Sequence, residues 1–268
     1  MVPAPAPALV ATDLDGTLLR RGDTVSVRSR AALARVAAAG AQHIVVTGRP
    51  APQVRHLLLE LDYQGLAVCG QGAQVFDAAT DTLVSRLTLD RQVAEVALGK
   101  IEAEVGLVFA AVNQDGMEGL MLMEPGYVPS HPTLPSVRAD NRVALWDEPI
   151  NKVLIRHPAL SDDELVAAAR NVSDGLVTVT MAGPGTVELQ PLGVTKATGL
   201  ALAAEMSGVA AADTVAFGDM PNDVPMFRWA GHGVAMANAH EELKAVADEI
   251  ALSNEEDGVA VVLERLFG

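Results

Sequence analysis

Two aspartates one residue apart end the first apolar segment of the chain. The segment Leu9–Thr12 runs directly into Asp13-Leu14-Asp15-Gly16. In an extended chain, side chains at positions i and i+2 point in the same direction, so Asp13 and Asp15 are expected to face one site. Gly16 allows an immediate turn because it has no Cβ atom. The pattern suits a carboxylate nucleophile beside a carboxyl acid or base, with a cation between them and the substrate.

Three further polar clusters follow predicted strands or begin predicted helices. They are Thr47-Gly48-Arg49, Lys196, and the segment Gly218-Asp219-Met220-Pro221-Asn222-Asp223. Each alone has a structural explanation, as a turn, a solvated lysine or a helix N-cap. In an open parallel sheet, however, ligands bind at the carboxyl ends of the strands. The occurrence of all four clusters at such positions predicts one shared site.

Phosphoryl transfer uses these residue types. An aspartate is ionised at neutral pH, so it needs no activating base, but its charge and that of a phosphate must be screened by a divalent cation. Mg²⁺ prefers oxygen ligands in octahedral geometry, which Asp13, Asp219 and the backbone carbonyl of Asp15 can supply. Lys196 and the Thr47 hydroxyl can hold the remaining phosphoryl oxygens as charge builds up in the transition state.

Alternating strand and helix patterns would position these clusters. Strand patterns occur at 43–47, 66–69, 186–190, 213–217 and 234–237, and helix patterns at 26–39, 52–61, 196–206, 223–230, 241–247 and 259–267. Between them lie hairpin signals, two helix patterns at 91–105 and 161–170, and a proline-rich loop at 125–135. The fold class is therefore α/β. We expect a Rossmann-like parallel sheet core formed by 1–80 and 187–268, with an inserted α+β domain at 81–186.

Composition limits the partners. The net charge is −15, from 34 acidic and 19 basic residues. Nucleic acid and anionic membranes both require a basic surface, so neither is expected as a main partner. An anionic substrate would need local cations to overcome the overall negative field. Aromatic residues make up only 3% of the chain, so Ala, Val and Leu must build the core.

The expected location is the cytoplasm. The single cysteine, Cys69, cannot form an internal disulfide and lies in an apolar segment typical of the core. Residues 3–7 alternate Pro and Ala without the basic and apolar regions of a signal peptide, and they are interpreted as a flexible extension. No apolar segment is long enough to cross a bilayer.

The motifs resemble those of the haloacid dehalogenase superfamily, in its Cof-type phosphatase branch. The matching segments are 13–18 (DLDGTL), 45–49 (VVTGR), 193–196 (GVTK) and 217–223 (FGDMPND), with weaker matches at 72–73, 151–155 and 257–260. Together they cover essentially the whole chain, and their order is highly specific. Two positions depart from the family pattern. Gln71 stands where Asn is common, and Ala197 stands where Gly usually follows the motif lysine.

The resemblance implies a role for each motif residue. Asp13 would be the nucleophile that forms an aspartyl-phosphate, and Asp15 would protonate the leaving alcohol and then activate water. The phosphate-binding residues would be Thr47, Gly48, Lys196 and Asn222. Asp13, Asp15 and Asp219 would hold Mg²⁺. Asp223 would support the site by orienting Lys196 or a metal-bound water, and Arg49 would clamp substrate or pair with a cap acid.

The expected function is hydrolysis of small phosphorylated metabolites, sugar phosphates above all, with the insertion acting as a cap. A phosphomutase on the same scaffold is the alternative enzyme. A phospho-aspartate signalling receiver also combines Asp, Thr and Lys on a parallel sheet. Receivers lack an acid at the position of Asp15 and need no insertion of about 100 residues, so this alternative is disfavoured. His131, in the proline-rich loop, is a further candidate for substrate contact.

Overall fold

The structure is a computed structural model that describes residues 6–129 and 136–268. Residues 3–5 of the expected N-terminal extension, and His131, lie outside the described residues. No helix in the described part of the chain is both long enough and apolar enough to cross a membrane.

Strands and helices alternate along most of the chain. The strands of the described residues are β1 (Leu9–Thr12), β2 (Gln42–Val46), β3 (Leu66–Cys69), β4 (Gln74–Asp77), β5 (Thr82–Arg86), β6 (Phe109–Gln114), β7 (Met121–Met123), β8 (Ser136–Arg138), β9 (Ile150–Arg156), β10 (Val177–Gly183), β11 (Thr186–Pro191), β12 (Thr214–Gly218), β13 (His232–Ala235) and β14 (Glu249–Ile250). The α-helices of the described residues are α1 (Val27–Ala38), α2 (Ala51–Glu60), α3 (Arg91–Val105), α4 (Asp162–Val172), α5 (Lys196–Met206), α6 (Val224–Trp229), α7 (Glu241–Lys244) and α8 (Gly258–Phe267).

The first sheet has eight strands in the order β14-β13-β12-β1-β2-β3-β4-β5. The six strands from β14 to β3 are parallel, and β4 and β5 extend the sheet as an antiparallel hairpin. The predicted parallel α/β core is confirmed. Because β1, β2 and β12 are parallel neighbours, their carboxyl ends lie at one edge of the sheet.

Both faces of the first sheet are covered, as expected for parallel strands. Val10 packs on the side of α1 and α8, whereas Leu9 and Ala11 pack on the side of α5. The two clusters consist mainly of Ala, Val and Leu, as the low aromatic content requires. Phe76 and Phe217 supply the buried phenyl rings of the first cluster, and the partly buried Phe267 packs against it.

The second sheet has six strands in the order β10-β11-β9-β6-β7-β8. Its neighbours are antiparallel except for the short parallel pair β7 and β8. One face packs on α3 and α4 through residues such as Val153 and Leu189. Since side chains alternate along a strand, Lys152 and Glu188 point to the opposite face.

Two strands, β11 and β5, lie near the expected domain boundaries, and each belongs to the other sheet from the one expected. The segment 186–190, expected as a core strand, is β11 and pairs with β10 and β9 in the second sheet, so that placement was wrong. The Gly183-Pro184-Gly185 segment is a hairpin turn and not a break between domains. Conversely, β5 begins after the expected boundary at 81 but pairs with β4 in the first sheet.

Candidate active site

The site lies at the carboxyl edge of the first sheet. Asp13 directly follows β1 and its backbone N–H donates to the carbonyl of Phe217 in β12 at 3.0 Å. This bond continues the ladder between the two central strands, so the position of Asp13 is fixed by the sheet. Thr47 follows β2 in the same way, with its N–H donating to the carbonyl of Val68 at 2.8 Å.

The turn after Asp13 separates the two aspartates. Strand β1 ends at Thr12, and the next residues turn back so that Leu18 N–H donates to the Asp13 carbonyl at 3.3 Å and Leu19 N–H to Leu14 at 2.8 Å. Asp13 is buried, whereas Asp15 is half-exposed. The two carboxylates are neighbours, but through this turn rather than through a shared strand face. The predicted end of the strand and the turn at Gly16 (φ +74°) are present.

Lys196 is the buried cation of the site. Its Nζ donates to Asp13 Oδ1 at 2.7 Å and to Asp223 Oδ1 at 2.6 Å. The lysine is only 1% exposed. Burial disfavours its charge, but the carboxylates of Asp13 and Asp223 outweigh burial and raise the pKa of Lys196 above its ordinary value. Lys196 therefore stays protonated at any physiological pH.

Asp223 is a structural carboxylate that organises the loop after β12. Its Oδ2 accepts from the backbone N–H groups of Asp219 at 3.0 Å and Met220 at 3.1 Å. Its other oxygen accepts from Lys196. A side chain at Gly218 would place Cβ 2.5 Å from Asp223 Cγ, so glycine is required there. Both oxygens of Asp223 are therefore occupied, one by Lys196 and one by the backbone of its own loop.

Asp219 lies beside the Asp13 turn. Thr17 Oγ1 donates to Asp219 Oδ1 at 3.3 Å. Gly16 has φ +74°, and a Cβ there would approach Asp219 Oδ2 to 2.1 Å. The turn that begins after Asp13 therefore both leaves room for the Asp219 carboxylate and donates to it.

The carboxylates of this site repel one another. Asp13, Asp219 and Asp223 each bring one oxygen within 4.8 Å of the others. Burial raises the pKa of Asp13 to about 7 despite the opposing effect of Lys196. Burial and the neighbouring Asp13 also raise the pKa of Asp219 well above its ordinary value. One lysine does not neutralise three buried carboxylates, which is the electrostatic environment that a divalent cation would relieve.

The loop after β2 supplies the other polar groups. Thr47 Oγ1 accepts from Arg49 N–H at 3.1 Å. Gly48 is confined by Gln71, because a Cβ would lie 2.5 Å from Gln71 Nε2. Because β2 is parallel to β1, with Val45 beside Thr12, Thr47 and Gly48 leave the sheet at the same edge as Asp13.

Arg49 is paired with two carboxylates. It donates through Nε to Asp15 Oδ2 at 2.9 Å and contacts Asp23 at 2.8 and 3.0 Å. Sequence reasoning left open whether Arg49 clamps substrate or pairs with a cap acid. In this structure it pairs with core acids instead. Asp23 was missed, because nothing in its local sequence indicates a contact across 26 residues.

The second sheet touches the site through a buried ion pair. Lys152 Nζ contacts Glu188 and donates to the carbonyl of Gly48 at 2.8 Å. Gln71 Nε2 donates to Glu188 Oε2 at 2.8 Å. Asn222 ends this series of hydrogen bonds, because its Nδ2 donates to Gln71 Oε1 at 3.0 Å. Glu188 was not among the predicted residues, although a charged residue within a predicted strand is a recognisable signal.

Known proteins resemble this chain in sequence and in fold. The haloacid dehalogenase-like hydrolase family matches residues 10–263. The pyridoxal phosphate phosphatase YbhA of Escherichia coli is 31% identical over 94% of this chain and 96% of its own. The 5-amino-6-(5-phospho-D-ribitylamino)uracil phosphatase YwtE of Bacillus subtilis is 28% identical over 96% and 97%. A haloacid dehalogenase-like hydrolase from Bacteroides thetaiotaomicron superposes with a TM-score of 0.76 at 26% identity, covering 97% of this chain and 99% of that chain. The chain therefore belongs to the haloacid dehalogenase-like hydrolase family, which confirms the resemblance found in its motifs.

Proposed function

We propose that this protein is a Mg²⁺-dependent phosphatase that hydrolyses small phosphate monoesters, sugar phosphates above all, through an aspartyl-phosphate on Asp13. The observation that carries the proposal is the buried Asp13–Lys196–Asp223 arrangement beside Asp219. The relatives' names support the substrate class, because each describes the phosphate ester of a small molecule. Because the net charge of the chain is −15, local cations at this site would be needed to attract such an ester.

The donor set fits Mg²⁺. Asp13 and Asp219 are buried carboxylates with raised pKa values. Asp219 Oδ2 lies where a Cβ atom at position 16 would be, so glycine at this position makes room for the carboxylate. Hard oxygen donors of this kind are what Mg²⁺ prefers. Asp13, Asp219 and the backbone carbonyl of Asp15 would hold the ion. When bound, it supplies positive charge that screens the carboxylates and the phosphate.

The chain's own residues account for each covalent step. An Asp13 carboxylate oxygen attacks phosphorus, and the bond from phosphorus to the leaving oxygen breaks. Asp15 gives its proton to that oxygen, releasing an alcohol. Water then attacks phosphorus while Asp15 takes its proton, which releases inorganic phosphate and restores Asp13. Lys196, Thr47 and Gly48 hold the phosphoryl oxygens in both steps.

Asp15 must leave its ion pair to act. In the structure its carboxylate accepts a hydrogen bond from Arg49 Nε at 2.9 Å. We infer that binding of an anionic substrate competes for Arg49 and frees Asp15. Arg49 would then position Asp15 before substrate binds and contact the substrate afterwards.

The segment between β5 and α5 would act as a cap. It contains the second sheet, and Lys152 and Glu188 bring that sheet directly onto the loops of Gly48 and Gln71. A cap in this position would exclude bulk water and contact the leaving group.

A panel of phosphorylated metabolites tests the proposal. Phosphate release should be measured with Mg²⁺ and with excess chelator, using hexose and pentose phosphates, other metabolite esters and an aryl phosphate. We expect release with Mg²⁺, none with chelator, and the highest kcat/KM among the sugar phosphates. Full activity in chelator, or no release from any ester, would exclude this mechanism.

A further inference from the structure

Arg49 is held between two carboxylates that bind different edges of its guanidinium. The edge formed by Nε and Nη2 contacts both oxygens of Asp15, with Nε donating to Oδ2 at 2.9 Å. The edge formed by Nη1 and Nη2 donates to both oxygens of Asp23, at 3.0 and 2.8 Å. Each edge presents two parallel N–H groups, which match the two oxygens of a carboxylate. Both of these edges of Arg49 are therefore occupied.

Asp23 lies in a short turn, residues 20–24, that is fastened to the rest of the core. Arg20 N–H donates to the Thr24 carbonyl at 2.8 Å, which closes the turn. The Arg20 side chain pairs with Asp257 at 2.6 Å. Asp23 itself has φ +57°, a left-handed conformation that Asp and Asn adopt more readily than most side chains. The Asp23 carboxylate is thus placed by a turn separate from the one that carries Asp15.

Asp15 and Asp23 share one positive charge. An oxygen of each contacts the same atom, Arg49 Nη2, so the two carboxylates lie close together and repel each other. The Arg49 side chain is only 21% exposed. Burial disfavours its charge, but the hydrogen bonds to Asp15 and Asp23 outweigh burial and raise the pKa of Arg49 above its ordinary value. This mostly buried guanidinium therefore depends on its carboxylate partners.

We propose that Asp23 is a positioning residue that allows Arg49 to release Asp15. The inference rests on the proposed phosphatase function, in which Asp15 leaves Arg49 before it protonates the leaving oxygen. Repulsion from Asp23 lowers the free energy needed for Asp15 to move away, and Asp23 still holds Arg49 afterwards. Without Asp23, the same movement would leave the guanidinium with neither carboxylate. The released edge, Nε and Nη2, is then available to an anionic substrate.

The role of Asp23 predicts which esters depend on it. The value of kcat/KM reports the steps up to release of the alcohol, in which Asp15 acts as the acid. An alkyl phosphate has a strongly basic leaving oxygen and needs that proton, whereas 4-nitrophenyl phosphate releases a stable phenolate without it. The ratio of kcat/KM for the best alkyl phosphate of the metabolite panel to that for 4-nitrophenyl phosphate therefore measures how readily Asp15 delivers its proton.

The variant Asp23→Asn tests the inference. Asn tolerates the left-handed backbone and keeps the shape of the side chain but removes its charge. We expect the alkyl-to-aryl ratio to fall about three- to fivefold, the size of one partly exposed ion pair. The control Asp81→Asn removes another half-exposed carboxylate with positive φ (+56°) that is paired with an arginine, Arg55. It lies in the turn between β4 and β5 and should leave the ratio unchanged.

A double-mutant cycle shows whether Asp23 acts through Arg49. In the Arg49→Met background nothing remains for Asp23 to hold, so Asp23→Asn should leave the ratio unchanged there. A general effect of charge on substrate attraction would instead alter kcat/KM for both esters alike. The variant Asp23→Gly, which also accepts positive φ, provides a second test in case Asp23→Asn does not fold, and the same fall in the ratio is expected.

The outcomes separate the two proposals. If wild type hydrolyses the alkyl ester, an unchanged ratio in a folded Asp23 variant would overturn the inference alone. Equal losses on both esters, or the same fall in the Arg49→Met background, would also overturn it. No release from any alkyl phosphate by wild type would instead contradict the proposed phosphatase function, and with it this inference.

Discussion

Lys196 Nζ lies 2.7 Å from Asp13 Oδ1, at the centre of a site in which both side chains are almost fully buried. The same ammonium contacts Asp223 at 2.6 Å. A single cation therefore joins the proposed nucleophile to the carboxylate that organises the loop after β12.

Replacing this cation should damage both stability and activity. Lys196→Met leaves Asp13 and Asp223 buried without their partner, and breaking a buried pair in this way costs about 3–5 kcal/mol. It also removes charge stabilisation worth about 10²-fold or more in kcat. Urea unfolding and phosphate release measure the two effects. The control Lys244→Met removes a surface pair with Glu241 and should change the free energy of unfolding by no more than about 1 kcal/mol. Similar stability losses in both variants would contradict the assigned role of Lys196.

The raised pKa of Asp13 predicts a pH-dependent stability difference. Unfolded, Asp13 loses its proton near pH 3.8, whereas burial raises the pKa to about 7 in the folded protein. Between these values the folded state binds more protons, so the contribution of Asp13 to the free energy of unfolding falls as the pH rises from about 4 to 7 and stays low above it. In chelator, Asp13→Asn should therefore be more stable than wild type at about pH 8, and the gap should narrow toward pH 5. Comparing Tm values of the two proteins cancels the carboxylates that do not interact with Asp13, and a gap independent of pH would contradict the prediction.

The space beside Gly16 predicts a specific loss of metal binding. Gly16→Ala would place Cβ 2.1 Å from Asp219 Oδ2 and displace that carboxylate. We expect the Mg²⁺ concentration for half-maximal activity to rise at least about tenfold, since Asp219 is one of two proposed carboxylate ligands. Gly22→Ala is a matched control, because Gly22 also has positive φ (+80°) but nothing within 4 Å of a new Cβ. It should lose about 1 kcal/mol of stability without a change in metal requirement. Equal metal requirements in the two variants would argue against Asp219 as a ligand.

Local sequence signals predicted most of the elements. The predicted helices 91–105 and 196–206 match α3 and α5 to the residue, and the Ser161 capping box with Glu164 is present. These features depend on caps and periodicity within a few residues. Strands β8 and β14 were missed because three and two residues are too short to show a period.

Features that depend on distant pairing could not be predicted. The sequence of β11 resembles a core strand, and only its pairing with β10 and β9 places it in the second sheet. That Asp13, Lys196 and Asp219 meet at one site could be predicted, because each lies directly at the end of a strand or the start of a helix. The pairing of Arg49 with Asp15 and the Glu188 contact with Gln71 arise from loops and sheets that meet only in the folded protein.

Trapping of the covalent intermediate tests the central claim, that Asp13 is the nucleophile and Asp15 the acid and base. Protein mixed with ³²P-labelled substrate and Mg²⁺ should be quenched in acid and assayed for label released by hydroxylamine, which cleaves acyl phosphates. We expect a transient signal in wild type, a more persistent one in Asp15→Asn together with a kcat lower by at least about 10²–10⁴-fold, and none in Asp13→Asn. Label on Asp13→Asn, or near-normal turnover by that variant, would contradict the account.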